Sequence, residues 1–461
     1  MMFKIFSLPI SPWKFILFNG DALCYIFSAI IALHFNQLTS PILFQYLYQY
    51  KIYFILIGIT YLIVLYIADT YNYFKDFRHI LNLVYVFIAC LIGTLIVLLA
   101  FYFPLQGWII GRTLLLIQAL SFAILVAVWR FTFSVIALPQ RLEKRIMIIG
   151  AGKSGRYLLD SLRDRPGCGF LPVGFVDDDV QKLGTRLDDL PVLGDSSQLV
   201  DLINAYKVNL AVVAITGKRS SWLTNNLIMV SWDECRLIDM PTFYEFLTGK
   251  LPTDHISDDW IFDWSVNSRK IYYIRLKRLV DLVLAGIFLL VASPLMLVVA
   301  VLIKIDSQGP IFFMQERLGQ KGKPFTIIKF RTMYQGSENN GPVWTNYNDP
   351  RITRVGKIIR KVRLDELPQL LNILRAEMSF IGPRPLAHTI YMEDIRFYNY
   401  RNLVKPGITG WAQVTYPEGL TIDTTQEKLK YDLYYIKNIG FMLDLAILLK
   451  TVRTVIFGKG A

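Results

Sequence analysis

Four long apolar segments near the N-terminus restrict the fold of this chain more than any other feature. They cover residues 13–33, 52–68, 81–103 and 107–129, and short connections join them. Each is long enough for one helix to cross the ~30 Å hydrocarbon core of a bilayer. No small-residue cleavage site follows the first segment, so we interpret it as an uncleaved helix. With 54% hydrophobic and 18% charged residues, the chain is predicted to be a membrane protein with water-exposed parts.

The basic residues around these segments predict an orientation in the membrane. The connections at 34–51 and 104–112 each hold a single basic residue. Basic residues are more frequent at the other ends of the segments: Lys4, Lys14, Lys75, Arg78, Arg130, Arg141, Lys144 and Arg145. By the positive-inside rule, both ends of a bundle formed by residues 1–139 face the cytoplasm.

The net charge narrows the classes of partner, and the cysteines indicate the redox compartment. The net charge of +13 favours an anionic partner, such as membrane lipid or a nucleotide. No nucleic-acid-binding motif is present, so nucleic acid is not expected as a partner. The four cysteines (Cys24, Cys90, Cys168 and Cys235) are far apart and form no CxxC pair, which is typical of a reducing cytoplasm.

A second domain is predicted over residues 140–270. The stretch "KRIMIIGAGKSGRYLLDSL" reads as a strand, the turn Gly150-x-Gly152-x-x-Gly155 and a helix, and "LPVGFVDDD" and "VNLAVVAI" read as further strands. Alternation of strands and helices predicts a Rossmann-like α/β sheet. The glycines are candidates for nucleotide binding, although the acidic residues at 177–179 lie beyond the usual ~20-residue spacing. The alternative is a purely structural turn in a regulatory or dimerising domain.

The apolar run at 279–303 has two interpretations. A straight fifth span would put the many basic residues after Lys304 outside the cell, against the positive-inside rule. Pro294 removes a helical hydrogen bond, and Ser293 can bond to the carbonyl that is left free. A re-entrant helix that breaks at Ser293-Pro294 would enter and leave the membrane on the cytoplasmic face.

The region from 310 onward is rich in side chains that bind phosphate. Arginine makes bidentate contacts with phosphate oxygens, and flanking prolines, as at Arg384 in "GPRPL", fix the backbone of such a residue. The sequence therefore predicts a polyanionic ligand. The candidate cations are Arg317, Lys321, Lys323, Lys329, Arg331, Arg360, Arg363 and Arg384.

Two adjacent acids, Asp365 and Glu366, follow Arg360 and Arg363 in "IIRKVRLDELPQLLNIL". They can be simple helix-start residues. Among arginines, however, a carboxylate is expected to stay ionised at neutral pH. An aspartate can then attack phosphorus, and an adjacent glutamate can hold Mg²⁺. The four histidines are scattered and no Cys/His cluster indicates zinc.

Several motifs between about 275 and 455 resemble those of the bacterial sugar transferases that move a phosphohexose onto a polyprenyl phosphate. They are, in order, the apolar run with Ser293-Pro294, "KFRTM", "LDELPQLLNIL", "SFIGPRPL", "KPGITGWAQV" and "YDLYYIKN…LDLAILLKT". The predicted order of domains resembles that of the long members of this family. A four-span bundle and a Rossmann-like domain come first, and a mostly α catalytic domain, here 271–461, follows them. Those members begin exopolysaccharide, capsule or O-antigen synthesis with glucose or galactose.

The resemblance implies a two-step reaction at the cytoplasmic face of a bacterial inner membrane. Asp365 would attack the phosphate next to the sugar of a UDP-hexose and release UMP, and undecaprenyl phosphate would then take the phosphosugar. Glu366 matches the position associated with Mg²⁺, and Arg360 and Arg384 match phosphate-binding arginines. Asp444 matches a further active-site acid, with a helix N-terminal charge as the alternative.

The identity of the sugar stays open at this point. Gly440 stands where a serine is common in this family, and the stretch "PRPLAHTIY" lacks the acidic residue that many long members carry after the PRP motif. Two other functions remain: a membrane glycosyltransferase that releases UDP, and a non-catalytic scaffold that senses a nucleotide. The final helix, "LDLAILLKTVRTVIFGKG", is expected on an anionic membrane face. A homodimer is expected through the first two domains, which lack a catalytic motif.

Overall fold

The computed structural model describes most of the chain. The described residues are 3–5, 8–10, 12–35, 49–68, 70–71, 77, 80–102, 112–136, 144–165, 168–215, 223–225, 227, 235–258, 260, 270–336, 349–385, 395–416 and 422–456. They form two compact units, one made mainly of residues 1–238 and the other mainly of residues 239–461.

The first unit contains a bundle of four apolar helices, as predicted. After two short paired strands, β1 (Phe3–Ile5) and β2 (Leu8–Ile10), the helices are α1 (Pro12–Phe35), α2 (Lys51–Ile67), α3 (Ile80–Val97) and α4 (Arg112–Ile136). Buried side chains from all four helices share one apolar core, and large apolar residues cover their outer faces. By length and composition α1, α3 and α4 can cross a membrane, and α2 is apolar but shorter. Residues 107–111 of the fourth predicted segment lie outside the described residues.

Arg130 was predicted among the basic residues that follow the fourth span, and this was wrong. It lies inside α4 and is fully buried. Its guanidinium is 2.5 Å from a carboxylate oxygen of Asp21 and donates to the carbonyl of Thr70 at 2.6 Å. Because a buried charge is tolerated only when it is paired, Arg130 joins α1 and α4 to the residues after α2. Lys75, Arg78 and Arg141 lie outside the described residues.

The rest of the first unit is a Rossmann-like α/β domain, as predicted. Its elements are β3 (Lys144–Ile149), α5 (Lys153–Arg163), β4 (Phe170–Val176), β5 (Arg186–Leu187), β6 (Leu190–Gly194), α6 (Leu199–Tyr206), β7 (Leu210–Val213) and β8 (Arg236–Asp239). The strand order is β5-β6-β4-β3-β7-β8. Strand β3 pairs in parallel with β4 and β7, and β4 pairs in parallel with β6. The antiparallel β5–β6 pair was not predicted from the sequence.

The second unit is mostly helical and has two small sheets. Its elements are α7 (Met240–Thr248), α8 (Ile271–Asp306), β9 (Phe312–Leu318), β10 (Pro324–Phe330), α9 (Arg354–Lys361), α10 (Gln369–Leu374), β11 (Ser379–Ile381), β12 (Gly407–Thr409), α11 (Trp411–Thr415), α12 (Ile422–Asn438) and α13 (Phe441–Ile456). Strands β9 and β10 form an antiparallel hairpin, and β11 pairs in parallel with β12. The main core of this unit lies between α12, α13 and β11.

Helix α8 has 36 residues, and by length and composition it can cross a membrane. Pro294 lies inside the helix and has no N–H to donate to the carbonyl of Leu290, four residues earlier. The hydroxyl of Ser293 donates to that carbonyl at 2.8 Å, which confirms the hydrogen bond predicted for this serine. The middle of the helix exposes large apolar side chains, among them Leu290 at 76% and Val291 at 71%.

Candidate active site

Asp365 and Glu366 lie in one short 3₁₀ turn between α9 and α10. Helix α9 ends at Lys361, and Arg363, just before the 3₁₀ turn, has a φ of 58° in the left-handed region. Leu364 and Leu367 pack against an apolar cluster that includes residues of α8 and β10. Apolar contacts on both sides of the acids therefore hold the turn in place.

Basic side chains from three elements surround the acid pair. Lys329, on β10, has its ammonium 3.5 Å from a carboxylate oxygen of Glu366, and a guanidinium nitrogen of Arg363 is 3.7 Å from the same oxygen. The charges of Lys329, Arg360 and Arg363 act on Asp365, and the charge of Arg384 acts on Glu366. The structure thus brings four cations of the predicted set to the two acids: Lys329, Arg360, Arg363 and Arg384.

The two acids have opposite pKa shifts. Burial, together with the negative charge of Glu366, raises the pKa of Asp365 to about 6, although three cations oppose the shift. Burial also acts to raise the pKa of Glu366, but the charges of Lys329, Arg384 and Arg363 outweigh it and lower this pKa. The basic neighbours favour the carboxylate of both acids, as expected, but at Asp365 burial and the charge of Glu366 outweigh them, a net rise that the sequence did not predict. Asp365 is still mostly ionised at pH 7.

The pKa of Asp365 predicts a pH dependence for any reaction that requires its carboxylate. If the carboxylate of Asp365 must be ionised, turnover is flat above about pH 7 and falls about tenfold per pH unit below pH 6. Bound Mg²⁺ would move the midpoint of the pH–rate profile to lower pH, because a nearby cation favours the ionised carboxylate of Asp365. The measurement is a pH–rate profile, with samples held at pH 5 and assayed at pH 7 as the control for acid inactivation. Full turnover at pH 4.5 at every Mg²⁺ concentration that supports the reaction would contradict this assignment.

Arg384 lies on the segment that directly follows β11. The amide of Gly382 donates to the carbonyl of Thr409 at 2.9 Å, and the amide of Gly407 donates to the carbonyl of Pro383 at 2.9 Å. A side chain on Gly407 would collide with the backbone of Gly382, since its Cβ would lie 2.1 Å from the Gly382 nitrogen. Arg384 is exposed, whereas the three residues before it and the proline after it are buried. The segment therefore presents one arginine from a fixed backbone.

Arg331, also predicted as a phosphate ligand, has its hydrogen bonds inside the fold. Its guanidinium donates to the carbonyls of Ser307 and Gln308 at 2.7 and 2.8 Å, and the side chain is buried. These bonds attach the residues after α8 to the end of β10. The geometry gives Arg331 a part in supporting the strand that carries Lys329.

Asp444 is buried at the start of α13. Its carboxylate accepts hydrogen bonds from the hydroxyls of Tyr273 and Tyr435 at 2.6 and 2.9 Å, and it pairs with Lys277. The hydroxyl of Tyr435 is also 3.2 Å from the carbonyl of Ile381, at the end of β11. Asp444 therefore connects the last helix, the start of α8 and the strand that leads to Arg384.

Asn372, on α10, is a supporting residue that the sequence analysis missed. It is fully buried, accepts a hydrogen bond from the amide of Ile328 at 3.1 Å and donates to the carbonyl of Thr326 at 2.7 Å. It therefore fixes the helix after the acid pair to the strand that carries Lys329. The available signal was one polar residue within the apolar run "LLNIL".

The glycine turn of the first unit has the expected close packing. Gly150 has a φ of +106°, and a side chain on Gly155 would put its Cβ 2.0 Å from the Gly150 carbonyl oxygen. No atom lies within 4 Å of a Cβ placed on Gly152. The carboxylate of Asp177, which follows β4, accepts a hydrogen bond from the amide of Ala151 at 2.7 Å and pairs with Lys182 at 3.3 Å. Nucleotide binding at these glycines stays a prediction.

The carboxylate of Glu366 is the kind of donor that Mg²⁺ accepts. Within the described ranges, no three His, Cys, Asp or Glu side chains come together as a metal site. Mg²⁺ often takes one or two carboxylates and completes its coordination with substrate phosphates and water. Glu366, whose lowered pKa keeps it ionised, supplies such a carboxylate, so the residues present fit a Mg²⁺ that is shared with a phosphate substrate.

Apolar helices and an acid pair among basic side chains are the features of a membrane enzyme that acts on phosphorylated substrates. A family model described as bacterial sugar transferase matches residues 272–458, and one described as CoA-binding domain matches residues 66–221. The chain is 32% identical to UDP-glucose:undecaprenyl-phosphate glucose-1-phosphate transferase of Klebsiella pneumoniae over 69% of each chain. The chain belongs to the bacterial sugar transferase family.

Other relatives differ in the sugar that they are named for. Undecaprenyl-phosphate galactose phosphotransferase of Salmonella typhimurium is 32% identical over 69% of each chain. UDP-N-acetylgalactosamine-undecaprenyl-phosphate N-acetylgalactosaminephosphotransferase of Aeromonas hydrophila is 44% identical over 49% of this chain. The match covers 55% of that relative's length. The names of these relatives all contain undecaprenyl phosphate, but they differ in the sugar.

Proposed function

We propose that this enzyme transfers hexose-1-phosphate from a UDP-hexose to undecaprenyl phosphate and releases UMP. The observation that carries the proposal is the acid pair Asp365–Glu366 beside Lys329, Arg360 and Arg384. The names of the relatives support the acceptor and the class of donor. Glucose, galactose and N-acetylgalactosamine are the donor sugars to test first.

The proposed reaction consists of two displacements at the same phosphorus atom. A carboxylate oxygen of Asp365 attacks the phosphorus next to the sugar, and the bond to the bridging oxygen breaks, so that UMP leaves with the electron pair. A phosphate oxygen of undecaprenyl phosphate then attacks the same phosphorus and displaces Asp365. Arg360, Arg384 and Lys329 bind the phosphate oxygens in both steps. Mg²⁺, held by Glu366, would neutralise negative charge on the phosphates.

We also propose that α8 is a re-entrant helix and that the catalytic domain faces the cytoplasm. Both ends of the helix bond to the same domain: Arg278 donates to the carbonyl of Ile373 at 2.6 Å, and Asp306 accepts from the amide of Val355 at 3.0 Å. The apolar middle is exposed, and Ser293 bonds to the carbonyl freed by Pro294. These contacts favour a helix that returns to the side from which it came.

Cysteine accessibility tests this topology. Lys323→Cys, at an exposed position of the second unit, is expected to resist a membrane-impermeant maleimide in intact spheroplasts and to react after permeabilisation. Gln49→Cys, just before α2, is the matched control and is expected to react in intact spheroplasts. Labelling of Lys323→Cys without permeabilisation would overturn the re-entrant arrangement.

The released nucleotide tests the reaction itself. Membranes that contain the enzyme are incubated with Mg²⁺, undecaprenyl phosphate and each UDP-sugar in turn, and the soluble product is identified. UMP is expected with one of the sugars. Release of UDP would indicate glycosyl transfer, and no release with any sugar would favour the non-catalytic scaffold.

The remaining proposals concern assembly and cellular role. We propose that the enzyme is a homodimer in a bacterial inner membrane and that it catalyses the first membrane step of exopolysaccharide, capsule or O-antigen synthesis. The absence of a catalytic motif in the sequence of the first two domains supports a role for them in assembly. Light scattering of the detergent-purified protein tests the dimer, and a monomeric mass would overturn it.

A further inference from the structure

A buried ion pair lies next to the segment that carries Arg384. Arg401, on the 3₁₀ turn before β12, contacts one carboxylate oxygen of Asp432 on α12 through two of its nitrogens, both at 2.8 Å. The side chains are only 11% and 3% exposed. Removing two charges from water is expensive, so replacement of such a pair by apolar residues is often neutral for stability. The ion pair therefore needs an explanation besides the stability of the fold.

The second contact of Arg401 supplies that explanation. The same guanidinium nitrogen that reaches Asp432 also donates to the backbone carbonyl of Arg384 at 3.2 Å. The next carbonyl, of Pro385, accepts from Arg317 at 3.4 Å. Together with the bonds at Gly382 and Pro383, these contacts hold four consecutive residues. The side chain of Arg384 is exposed in this otherwise fixed segment.

The local charges explain why Asp432 is needed. The positive charges of Arg384 and Arg401 both act on Lys428, so three cations lie near each other. Without a compensating acid, the guanidinium of Arg401 would be repelled by the positive side chains of Arg384 and Lys428. The carboxylate of Asp432 neutralises Arg401 and fixes its planar guanidinium, which can then bind a carboxylate and a carbonyl at once.

We propose that Arg401 and Asp432 are positioning residues that hold Arg384 at the phosphate-binding site beside Asp365 and Glu366. The inference rests on the proposed function, in which Arg384 binds a phosphate of the UDP-sugar. Arg401 acts through the backbone of Arg384 and does not itself contact the substrate. The loss of this contact lets the segment move, which weakens binding of the diphosphate even when the domain stays folded.

The test uses UDP as the probe and the full-length enzyme in detergent with Mg²⁺. Lysine at position 401 can keep the ion pair with Asp432 but lacks the second arm of the guanidinium. Arg401→Lys is therefore expected to keep its melting temperature within about 2 °C of the wild type. Its dissociation constant for UDP is expected to rise about tenfold, and its kcat/KM for the UDP-sugar is expected to fall by a similar factor.

A double-mutant cycle with Arg384 separates positioning from a purely structural role. In an Arg384→Ala background, Arg401→Lys is expected to change the dissociation constant for UDP by less than about twofold, because the contact acts through Arg384. Arg396→Gln is the matched control: this arginine of the same stretch is 51% exposed and pairs with the exposed Asp258. It is expected to bind UDP as the wild type does.

The outcomes distinguish this inference from the proposed function. Equal weakening by Arg401→Lys in both backgrounds, or no weakening in the wild-type background, overturns the positioning role alone. If Arg384→Ala itself binds UDP normally, the phosphate-binding role of Arg384 fails, and the positioning role fails with it. No binding of UDP by the wild type would count against the proposed donor class and against the inference.

Discussion

Replacement of Asp365 by asparagine is expected to reduce UMP release by at least ~10³-fold, because asparagine has nearly the same shape but cannot form the acyl-phosphate. The surrounding basic residues stay in place, so binding of UDP is expected to be kept. With a UDP-sugar and no undecaprenyl phosphate, the wild type is expected to release one equivalent of UMP and to gain the mass of a hexose phosphate. The variant is expected to do neither.

Two companion variants make the result specific to Asp365. Asp254→Asn changes an acid of the same unit whose side chain is 73% exposed, and it is expected to leave UMP release unchanged. Glu366→Gln is expected to reduce the rate strongly, and partial recovery at high Mg²⁺ would separate a metal ligand from a nucleophile. Retention of more than about one-tenth of the wild-type rate by Asp365→Asn would contradict covalent catalysis at this residue.

Replacement of Asn372 by leucine is expected to have the largest effect on stability. Leucine fills a similar volume but leaves the amide of Ile328 and the carbonyl of Thr326 without their partner. Each buried group that loses its hydrogen bond costs about 1–3 kcal/mol, so a loss of about 3 kcal/mol in the free energy of unfolding is expected. Turnover is expected to fall as well, because Ile328 precedes Lys329 on the same strand.

Thermal unfolding of the purified protein in detergent measures this effect. Gln426→Leu, at an exposed position of α12, is the matched control for a polar-to-leucine change and is expected to shift the melting temperature little. A melting temperature for Asn372→Leu within about 1 °C of the wild type would show that these hydrogen bonds are not important for the fold.

Much of the fold was predictable because it depends on local pattern. The four apolar segments form helices, the strand-and-glycine pattern forms the parallel strands β3, β4 and β7, and Ser293 bonds to the carbonyl that Pro294 leaves free. Each of these features depends on residues a few positions apart, or on the apolar character of a segment. The expectation that Arg130 marks a membrane surface failed because Asp21, 109 residues earlier, pairs with it inside the bundle.

The sequence by itself determined which chemical groups are available: an acid pair, a set of phosphate-binding cations and a proline-framed Arg384. Only the tertiary structure decided how they are used. It placed Arg331 against backbone carbonyls, joined Arg401 and Asp432 to the Arg384 segment, and raised the pKa of Asp365 while lowering that of Glu366. The physical reason is that burial and charge act through space, so two adjacent acids acquire different properties from residues that are distant in the chain.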